Sequence, residues 1–568
     1  MKLRRAWDER AWPRILAAVL INVLFLALML TAFAPMWETN DDLLMSKFVD
    51  GQLSHKTAYV PYIHIFLGAL LKGLYTLFGD GFNWYSTCQY LALLLGFTAV
   101  TWSLLRRFRL LPALVMTAVI LGAFGTDCYL SMNFSKAGGV GAAGGMCLLL
   151  TLLERAEKPK ALPLILGVLI ALTGLLWRWE EFGICAVLTA AVCLRDLTGL
   201  LKENRGLAGG EMLLRLWRYL RPFMALALLA ALLFGAFQYA WNRPEVAAYK
   251  HFDDARSVLI DFEIPEYDQI PEVYDELGMD ENFVYMMKKW SFYDTERFTQ
   301  QAIDRLIEAR DKLVRHKSPG ECLAVFLNEC LAGFPQDRPF AGFGFMLALW
   351  LAFGRRRGRE WTALVYMGAV FLGFYLLFIY NQRYLANRVD MGLFFSMAAV
   401  LSFLLDEEKL EGERWTLLAV LALSLFVTWR ANRPYCLLDS HNTVEDRNFD
   451  KAAVETLLAD DHRYFVKVWA IEHNLYSPLE TPPAGYADKL VHLGGWSMHH
   501  PVIEELLADW DVENPWHDLV NRQDIYLIDH DIERSLAFLR RWYYPEAEAE
   551  LIEPLSTETG LMIYRVTD

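Results

Sequence analysis

Apolar segments long enough to cross a lipid bilayer recur along this chain of 568 residues. The first, residues 15–33, comes close to the roughly 20 apolar residues that a helix needs to span the hydrocarbon core. It follows a basic stretch and lacks a small-residue cleavage site, so we expect a retained signal anchor. Because 55% of all residues are hydrophobic, the sequence predicts a polytopic membrane protein.

Short basic loops orient the predicted spans, because cytoplasmic loops carry an excess of Lys and Arg. The basic groups contain Arg4, Arg5, Arg10 and Arg14; Arg106, Arg107 and Arg109; Arg155, Lys158 and Lys160; Arg195, Lys202, Arg205, Arg215, Arg218 and Arg221; Arg355, Arg356, Arg357 and Arg359; and Lys409 and Arg414. All of them can face the cytoplasm only if one of the apolar segments 61–78 and 86–105 does not cross. Segment 61–78 opens with Pro61 and carries His64 and Lys72, so we place it flat on the outer membrane surface.

The remaining apolar segments give about eleven crossings of the plasma membrane, with the N-terminus in the cytoplasm and the C-terminus outside. The predicted spans are 15–33, 86–105, 110–126, 137–153, 161–177, 182–194, 222–241, 339–354, 361–380, 388–405 and 415–429. Span 182–194 has only 13 residues, so we expect its helix to continue past Arg195, with that side chain reaching the interface.

The spans and the polar stretches between them divide the chain into four regions. Residues 1–241 form an N-terminal transmembrane part with the first outer loop and the surface helix, and residues 242–338 form an outer helical insertion. Residues 339–436 return to the membrane, and residues 437–568 alternate strand-like and helical runs. The predicted fold class is therefore a mostly α polytopic membrane bundle with a small extracytoplasmic α/β C-terminal domain.

The charge balance narrows the possible partners. The net charge of −14 argues against nucleic acid, whose phosphates require clustered Lys and Arg on a broad surface. His492, His499 and His500 lie in a Gly-rich segment without the helical spacing typical of metal ligands, so we expect no metal there.

Two adjacent acids, Asp41 and Asp42, stand just outside the first span. A carboxylate pair at the mouth of a helical bundle suits chemistry between a lipid-linked substrate and an acceptor outside the membrane, because a carboxylate can accept a proton from an attacking hydroxyl. The alternative is that both acids only mark the membrane interface.

Several short motifs follow these acids in a fixed order. That order resembles the N-terminal half of GT-C fold glycosyltransferases, the group that includes protein O-mannosyltransferases and bacterial aminoarabinose transferases, over about the first 180 residues. Where that group usually has a proline pair opening the surface helix, this chain has the single Pro61. The matching stretches are Thr39-Asn40-Asp41-Asp42, Val60-Pro61-Tyr62, Leu74-Tyr75-Thr76-Leu77-Phe78-Gly79, Leu104-Leu105-Arg106-Arg107-Phe108, Thr126-Asp127 and Lys136-Ala137-Gly138.

The resemblance implies that a sugar passes from a polyprenyl-phosphate donor to an extracytoplasmic acceptor, which is a glycan, a lipid or a protein. Asp41 aligns with the group's first-loop acid and is the predicted general base, while Asp42 either positions the acceptor or raises the pKa of Asp41 by like-charge repulsion. Whether a divalent metal, magnesium or manganese, bridges Asp41 and the phosphate stays open.

A leaving phosphate needs fixed cations, and four basic side chains fall in short outer loops. They are Lys136, Arg178, Arg383 and Arg388, and with Asp127 they complete the predicted substrate-binding set. The alternative interpretations give these residues no role in substrate binding: Asp127 is then an ordinary loop acid, and Arg178 belongs to an interfacial aromatic belt with Trp177 and Trp179.

Two other functional classes fit the same architecture. A secondary transporter should show internal repeats and ionisable residues at mid-span, whereas the charges here cluster at the ends of spans. A non-catalytic membrane protein that handles an envelope polymer would have no need of the acids.

Overall fold

The computed structural model describes residues 11–155, 160–203, 209–260, 262, 264–330, 338–356, 358–382, 387–432, 451, 454–467, 476–481, 485–556 and 561–568. Within them, seven helices are long and apolar enough to cross a membrane. The chain is therefore a multi-pass membrane protein, and the predicted fold class of a mostly helical bundle with a small α/β domain is confirmed.

The N-terminal part is almost entirely helical. Its elements are α1 (Ala11–Ala32), β1 (Met36–Trp37), α2 (Asn40–Asp50), α3 (Ile65–Phe78), α4 (Trp84–Arg107), α5 (Leu110–Ile120), a π-helical turn (Leu121–Gly125), α6 (Thr126–Leu130), β2 (Ser131–Met132), α7 (Phe134–Arg155), α8 (Ala161–Trp177), α9 (Trp179–Glu203) and α10 (Gly209–Trp241).

The insertion and the second group of apolar helices follow. They comprise α11 (Pro244–Ile260), a short 3-10 turn (Tyr267–Gln269), α12 (Pro271–Glu276), α13 (Glu281–Lys288), α14 (Gln300–Leu313), α15 (Pro319–Val325), a π-helical turn (Phe326–Cys330), α16 (Arg338–Phe353), α17 (Gly358–Tyr380), α18 (Asn387–Phe403), α19 (Glu407–Gly412) and α20 (Arg414–Asn432).

The elements of the C-terminal region are β3 (Arg463–Val466), α21 (Tyr486–Lys489), β4 (Leu490–His492), α22 (Pro501–Asp509), α23 (Pro515–Asn521), β5 (Ile525–Asp529), α24 (Ile532–Trp542), β6 (Glu548–Ser556) and β7 (Leu561–Thr567). The strands form a five-stranded sheet in the order β4-β3-β5-β7-β6. Strand β3 is parallel to β4 and β5, and β7 is antiparallel to both β5 and β6.

Helix α7 lies at the centre of the bundle, packed against α4, α8, α9 and α18. Small residues allow these backbones to approach closely, as is common where membrane helices pack. A Cβ atom on Gly144 would lie 2.4 Å from the carbonyl oxygen of Gly96 on α4, and one on Gly145 would lie 2.2 Å from the backbone nitrogen of Ala171 on α8. The glycines of α7 therefore fix the spacing of the helices beneath the outer loops.

The predicted short span 182–194 belongs to a longer helix. Helix α9 has 25 residues and continues past Arg195, as expected. The side chain of Arg195 is buried, pairs with Glu154 at 3.2 Å and also donates to the backbone carbonyl of Phe403, so it joins α9 to α7 and α18. Its expected position at the membrane interface stays a prediction.

The predicted surface segment 61–78 forms α3, which has 14 residues. At about 1.5 Å per residue this helix measures roughly 21 Å, shorter than the hydrocarbon core of a bilayer. Its orientation in the membrane and the count of eleven crossings stay predictions.

Candidate functional site

The two first-loop acids occupy the first turn of α2, directly after the helix cap Thr39. Successive residues on a helix point about 100° apart, so adjacent carboxylates face different surroundings. The side chain of Asp41 keeps 16% of its surface exposed, whereas Asp42 has none. The pair is therefore divided into an accessible and an enclosed carboxylate.

Asp42 holds together three parts of the bundle. Its Oδ1 accepts hydrogen bonds from Nε2 of Gln89 at 2.5 Å, the hydroxyl of Tyr85 at 2.9 Å and the backbone N–H of Phe134 at 3.0 Å. Its Oδ2 is buried without a hydrogen-bond partner among the described residues. Burial raises the pKa of Asp42 to about 8, so the carboxyl is mostly protonated at neutral pH.

Asp41 is held by donors from two distant parts of the chain. Its Oδ1 accepts a hydrogen bond from the indole N–H of Trp496 at 2.9 Å. Its Oδ2 pairs with the guanidinium of Arg388 at 3.3 Å and accepts from the hydroxyl of Thr39 at 3.3 Å. The predicted base and one predicted phosphate ligand thus meet directly.

Trp496 belongs to the C-terminal region, and several contacts fix its position. Its ring stacks on Phe48 of α2 at 5.8 Å and meets Tyr62 edge-on at 5.4 Å. Its backbone carbonyl accepts a hydrogen bond from the hydroxyl of Tyr249 on α11 at 2.9 Å. The outer insertion, the C-terminal region and the first outer loop therefore converge on Asp41.

His500 docks the same segment on the first outer loop. Its Nε2 lies 2.9 Å from the carbonyl oxygen of Tyr59, and its Nδ1 accepts from the backbone N–H of Val502 at 3.3 Å. Burial lowers the pKa of His500 to about 3, so the ring is neutral and Nε2 carries the donated proton.

Lys136 lies inside a cluster of acids. Its ammonium is 2.7 Å from Oδ2 of Asp127 and 3.2 Å from Oε2 of Glu38, and it donates to the carbonyl of Ser131 at 2.9 Å. The side chain is only 2% exposed. Burial raises the pKa of Glu38, which lies within the electrostatic influence of the ammonium of Lys136 and of Arg388. The positive charge of Lys136 is thus neutralised by two carboxylates.

A two-stranded parallel ladder brings these acids and Lys136 together. Met36 pairs with Ser131, and Trp37 pairs with Met132, so the first outer loop lies beside the segment between α6 and α7. This ladder is what places Glu38 within reach of Lys136.

Arg178 lies on the other side of the site. Its guanidinium pairs with Glu180 at 3.0 Å and lies over the rings of Tyr62 at 5.5 Å and Phe134 at 5.1 Å. Both rings belong to the surroundings of the acid pair, because Phe134 bonds Asp42 and Tyr62 packs on Trp496.

The structure therefore brings Asp41, Asp42, Arg178 and Arg388 to one region and pairs Asp127 with Lys136 beside it. Arg383 lies outside the described residues. Sequence reasoning missed Trp496, Tyr85 and Gln89, which hold the two acids. Among the residues that the structure describes, no three His, Cys, Asp or Glu side chains are grouped so as to hold a metal ion.

No protein-family model and no curated protein matches this sequence. Among solved structures, the crystal structure of ArnT from Cupriavidus metallidurans bound to undecaprenyl phosphate is similar over 97% of both chains, with 12% identity and a TM-score of 0.36. The apo structure of the same protein gives a TM-score of 0.34 with 12% identity, again over 97% of both chains. At these scores the likeness assigns neither a fold nor an activity to this chain.

Proposed function

We propose that the protein transfers a sugar from a polyprenyl-phosphate carrier to a hydroxyl-bearing acceptor on the outer side of the membrane, with Asp41 as general base. The observation that supports this proposal is the partly exposed Asp41 carboxylate, which Trp496 and Arg388 hold at the start of α2. The resemblance of the first 180 residues to GT-C glycosyltransferases agrees with it.

The proton transfer needs a carboxylate that stays oriented while one lone pair remains available. A carboxylate offers about four lone-pair sites, and Trp496, Arg388 and Thr39 occupy some of them on Asp41. The acceptor hydroxyl would donate its proton to a remaining site as its oxygen attacks the anomeric carbon. Such fixed geometry lowers the barrier, because the carboxylate has no freedom left to lose in the transition state.

The leaving group is a lipid phosphate, whose negative charge Arg388 and Arg178 would stabilise. Arg388 keeps 31% of its side-chain surface exposed and Arg178 keeps 24%, so both retain surface for a ligand. Lys136 is a poorer candidate, because Asp127 and Glu38 already neutralise it. The acceptor oxygen would thus lie near Asp41 and the phosphate near the two guanidinium groups.

Asp42 has a structural task in this proposal. It is fully enclosed, and through Tyr85, Gln89 and Phe134 it joins α2 to α4 and α7. It therefore holds the helix that presents Asp41 rather than touching the substrate.

Isotope-labelled cells test the proposal directly. Envelope glycans, lipids and proteins from cells with and without the gene are compared by mass spectrometry for a transferred sugar. The same comparison is then made for Asp41→Asn and for the control Asp80→Asn, whose carboxylate is exposed and pairs with Lys56. We expect the sugar to disappear in the deletion and in Asp41→Asn but to persist in Asp80→Asn.

Two results would contradict the proposal in different ways. An unchanged envelope in the deletion strain would reject sugar transfer itself. Full transfer by folded Asp41→Asn protein would keep the activity but remove Asp41 as the base.

A further inference from the structure

A separate cleft opens where the outer insertion meets the C-terminal region. It has a volume of about 590 Å³, within the range of small-molecule binding sites. Tyr249 and Phe252 of α11 form part of one wall. Thr295, in the turn before α14, and Gln300, the first residue of α14, form another, and His499 and Glu504 close the third. The cleft therefore exists only because the two outer parts of the chain are packed together.

His499 is held in an unusual conformation at the edge of this cleft. Its φ angle is +61°, in the left-handed region that residues other than glycine rarely adopt. Its Nδ1 lies 2.8 Å from Oε1 of Glu504, and the hydroxyl of Tyr293 donates to the same oxygen at 2.7 Å. Its ring meets Phe252 edge-on at 4.6 Å. These contacts fix the imidazole and leave Nε2 without a partner among the described residues.

The chemistry of the lining selects one class of ligand. The described lining residues include no Lys or Arg, and Glu504 contributes a carboxylate, so the lining disfavours a phosphate or another anion. None of these described residues lies on a β-strand, so a peptide cannot bind by adding a strand to a sheet edge. The lining instead offers hydroxyl, amide, imidazole and carboxylate groups, which both donate and accept hydrogen bonds.

We propose that this cleft binds an uncharged saccharide. A sugar offers hydroxyl groups that donate and accept in turn to Thr295, Gln300, His499 and Glu504. This ligand matches the mixed hydrogen-bond donors and acceptors of the lining.

The position of the cleft points to a role for the saccharide in sugar transfer, and this role rests on the proposed function. Tyr249 lines the cleft and also donates to the backbone carbonyl of Trp496, whose indole holds Asp41. His499 follows Trp496 by three residues in the same segment. The cleft is therefore the docking site for a glycan acceptor whose end reaches Asp41.

Direct binding tests the proposal without any transfer assay. The full-length protein, in lipid nanodiscs rather than a maltoside detergent that carries its own sugar, is applied to a printed array of purified neutral oligosaccharides, phosphorylated oligosaccharides and unmodified peptides. The test variants are His499→Asn, which tolerates the left-handed backbone, and Gln300→Ala on the opposite wall. His55→Asn is the matched control, because His55 forms a similar pair with Glu505 at 2.7 Å and is not among the lining residues.

The wild type and His55→Asn should retain neutral oligosaccharides, and each cleft variant should lose roughly tenfold in affinity, as expected for one or two lost hydrogen bonds. Capture of no neutral oligosaccharide by the wild type, or capture of peptides or phosphorylated glycans alone, would overturn the proposal. So would wild-type affinity for neutral oligosaccharides in both cleft variants. Retained glycan binding in a protein that transfers no sugar would instead reject the proposed function and leave the binding site intact.

Discussion

Replacing Asp42 by asparagine will make the stability of the protein less sensitive to pH. The side chain is fully buried, and its folded pKa of about 8 lies far above the usual value of 3.8. The folded protein therefore keeps a proton that the unfolded chain releases above about pH 4. The stability that this carboxyl contributes is complete below the unfolded pKa and is lost as pH rises through the interval up to the folded pKa.

The size of the effect follows from about 1.4 kcal/mol for each unit between the two pKa values. Wild-type protein should lose roughly 2 kcal/mol relative to Asp42→Asn at pH 5 and roughly 5 kcal/mol at pH 8. Asparagine imitates the protonated carboxyl, since its carbonyl oxygen can still accept from Gln89, Tyr85 and the Phe134 N–H. It therefore removes the titration and keeps the hydrogen bonds.

The assay is thermal unfolding of purified protein in one detergent between pH 4.5 and 8.5, for the wild type, for Asp42→Asn and for Asp80→Asn, which alters an exposed carboxylate. The midpoint of Asp42→Asn should rise above that of the wild type as pH increases. A difference between these two proteins that stays constant from pH 5 to pH 8 would refute the reasoning.

Three further outcomes follow from the contacts. Trp496→Phe keeps an aromatic ring but removes the N–H that donates to Asp41, so the kcat of the proposed transfer should fall roughly tenfold to a hundredfold. The control is Trp516→Phe, whose buried N–H has no partner among the described residues, and it should leave kcat unchanged. Lys136→Met removes the buried ammonium that pairs with two partly buried acids and should destabilise the protein by about 3–5 kcal/mol in chemical unfolding. An unchanged midpoint would mean that the ion pairs of Lys136 contribute nothing. Gly145→Ala forces a methyl group against the backbone of α8 and should lower the free energy of unfolding by about 1–3 kcal/mol. Gly73→Ala places its methyl group in open space within α3 and should raise the free energy of unfolding by about 0.5–1 kcal/mol. A change of the same sign in both variants would contradict the packing of α7 against α8.

The helical bundle could be predicted because membrane helices are apolar over their whole length, a signal that needs no tertiary information. The alternation of strand-like and helical runs predicted for residues 437–568 corresponds to the described strands β3 to β7 and the helices among them. Strand β6 lacks a continuous apolar run because it is largely exposed, with Glu548, Glu550 and Glu553 among its residues. The hydrophobic pattern therefore indicates the buried strands more clearly than this exposed one.

The candidate site was only partly predictable. Asp41 is predicted from the resemblance of the first outer loop and Arg388 from its position in a short loop, and the structure places them 3.3 Å apart, although their roles stay predictions. Lys136 looked like a free cation because Glu38 and Asp127 are brought to it only by the pairing of two outer segments. Trp496 carries no local sign of its contact, since the residue that it holds is 455 positions away.

That separation also sets when the protein becomes competent. A growing chain contains Asp41 long before the ribosome reaches the codon for Trp496. Premature termination anywhere before residue 496 would leave Asp41 without the indole N–H that Trp496 donates. The full set of contacts around Asp41 therefore forms only after the late part of the chain has been made.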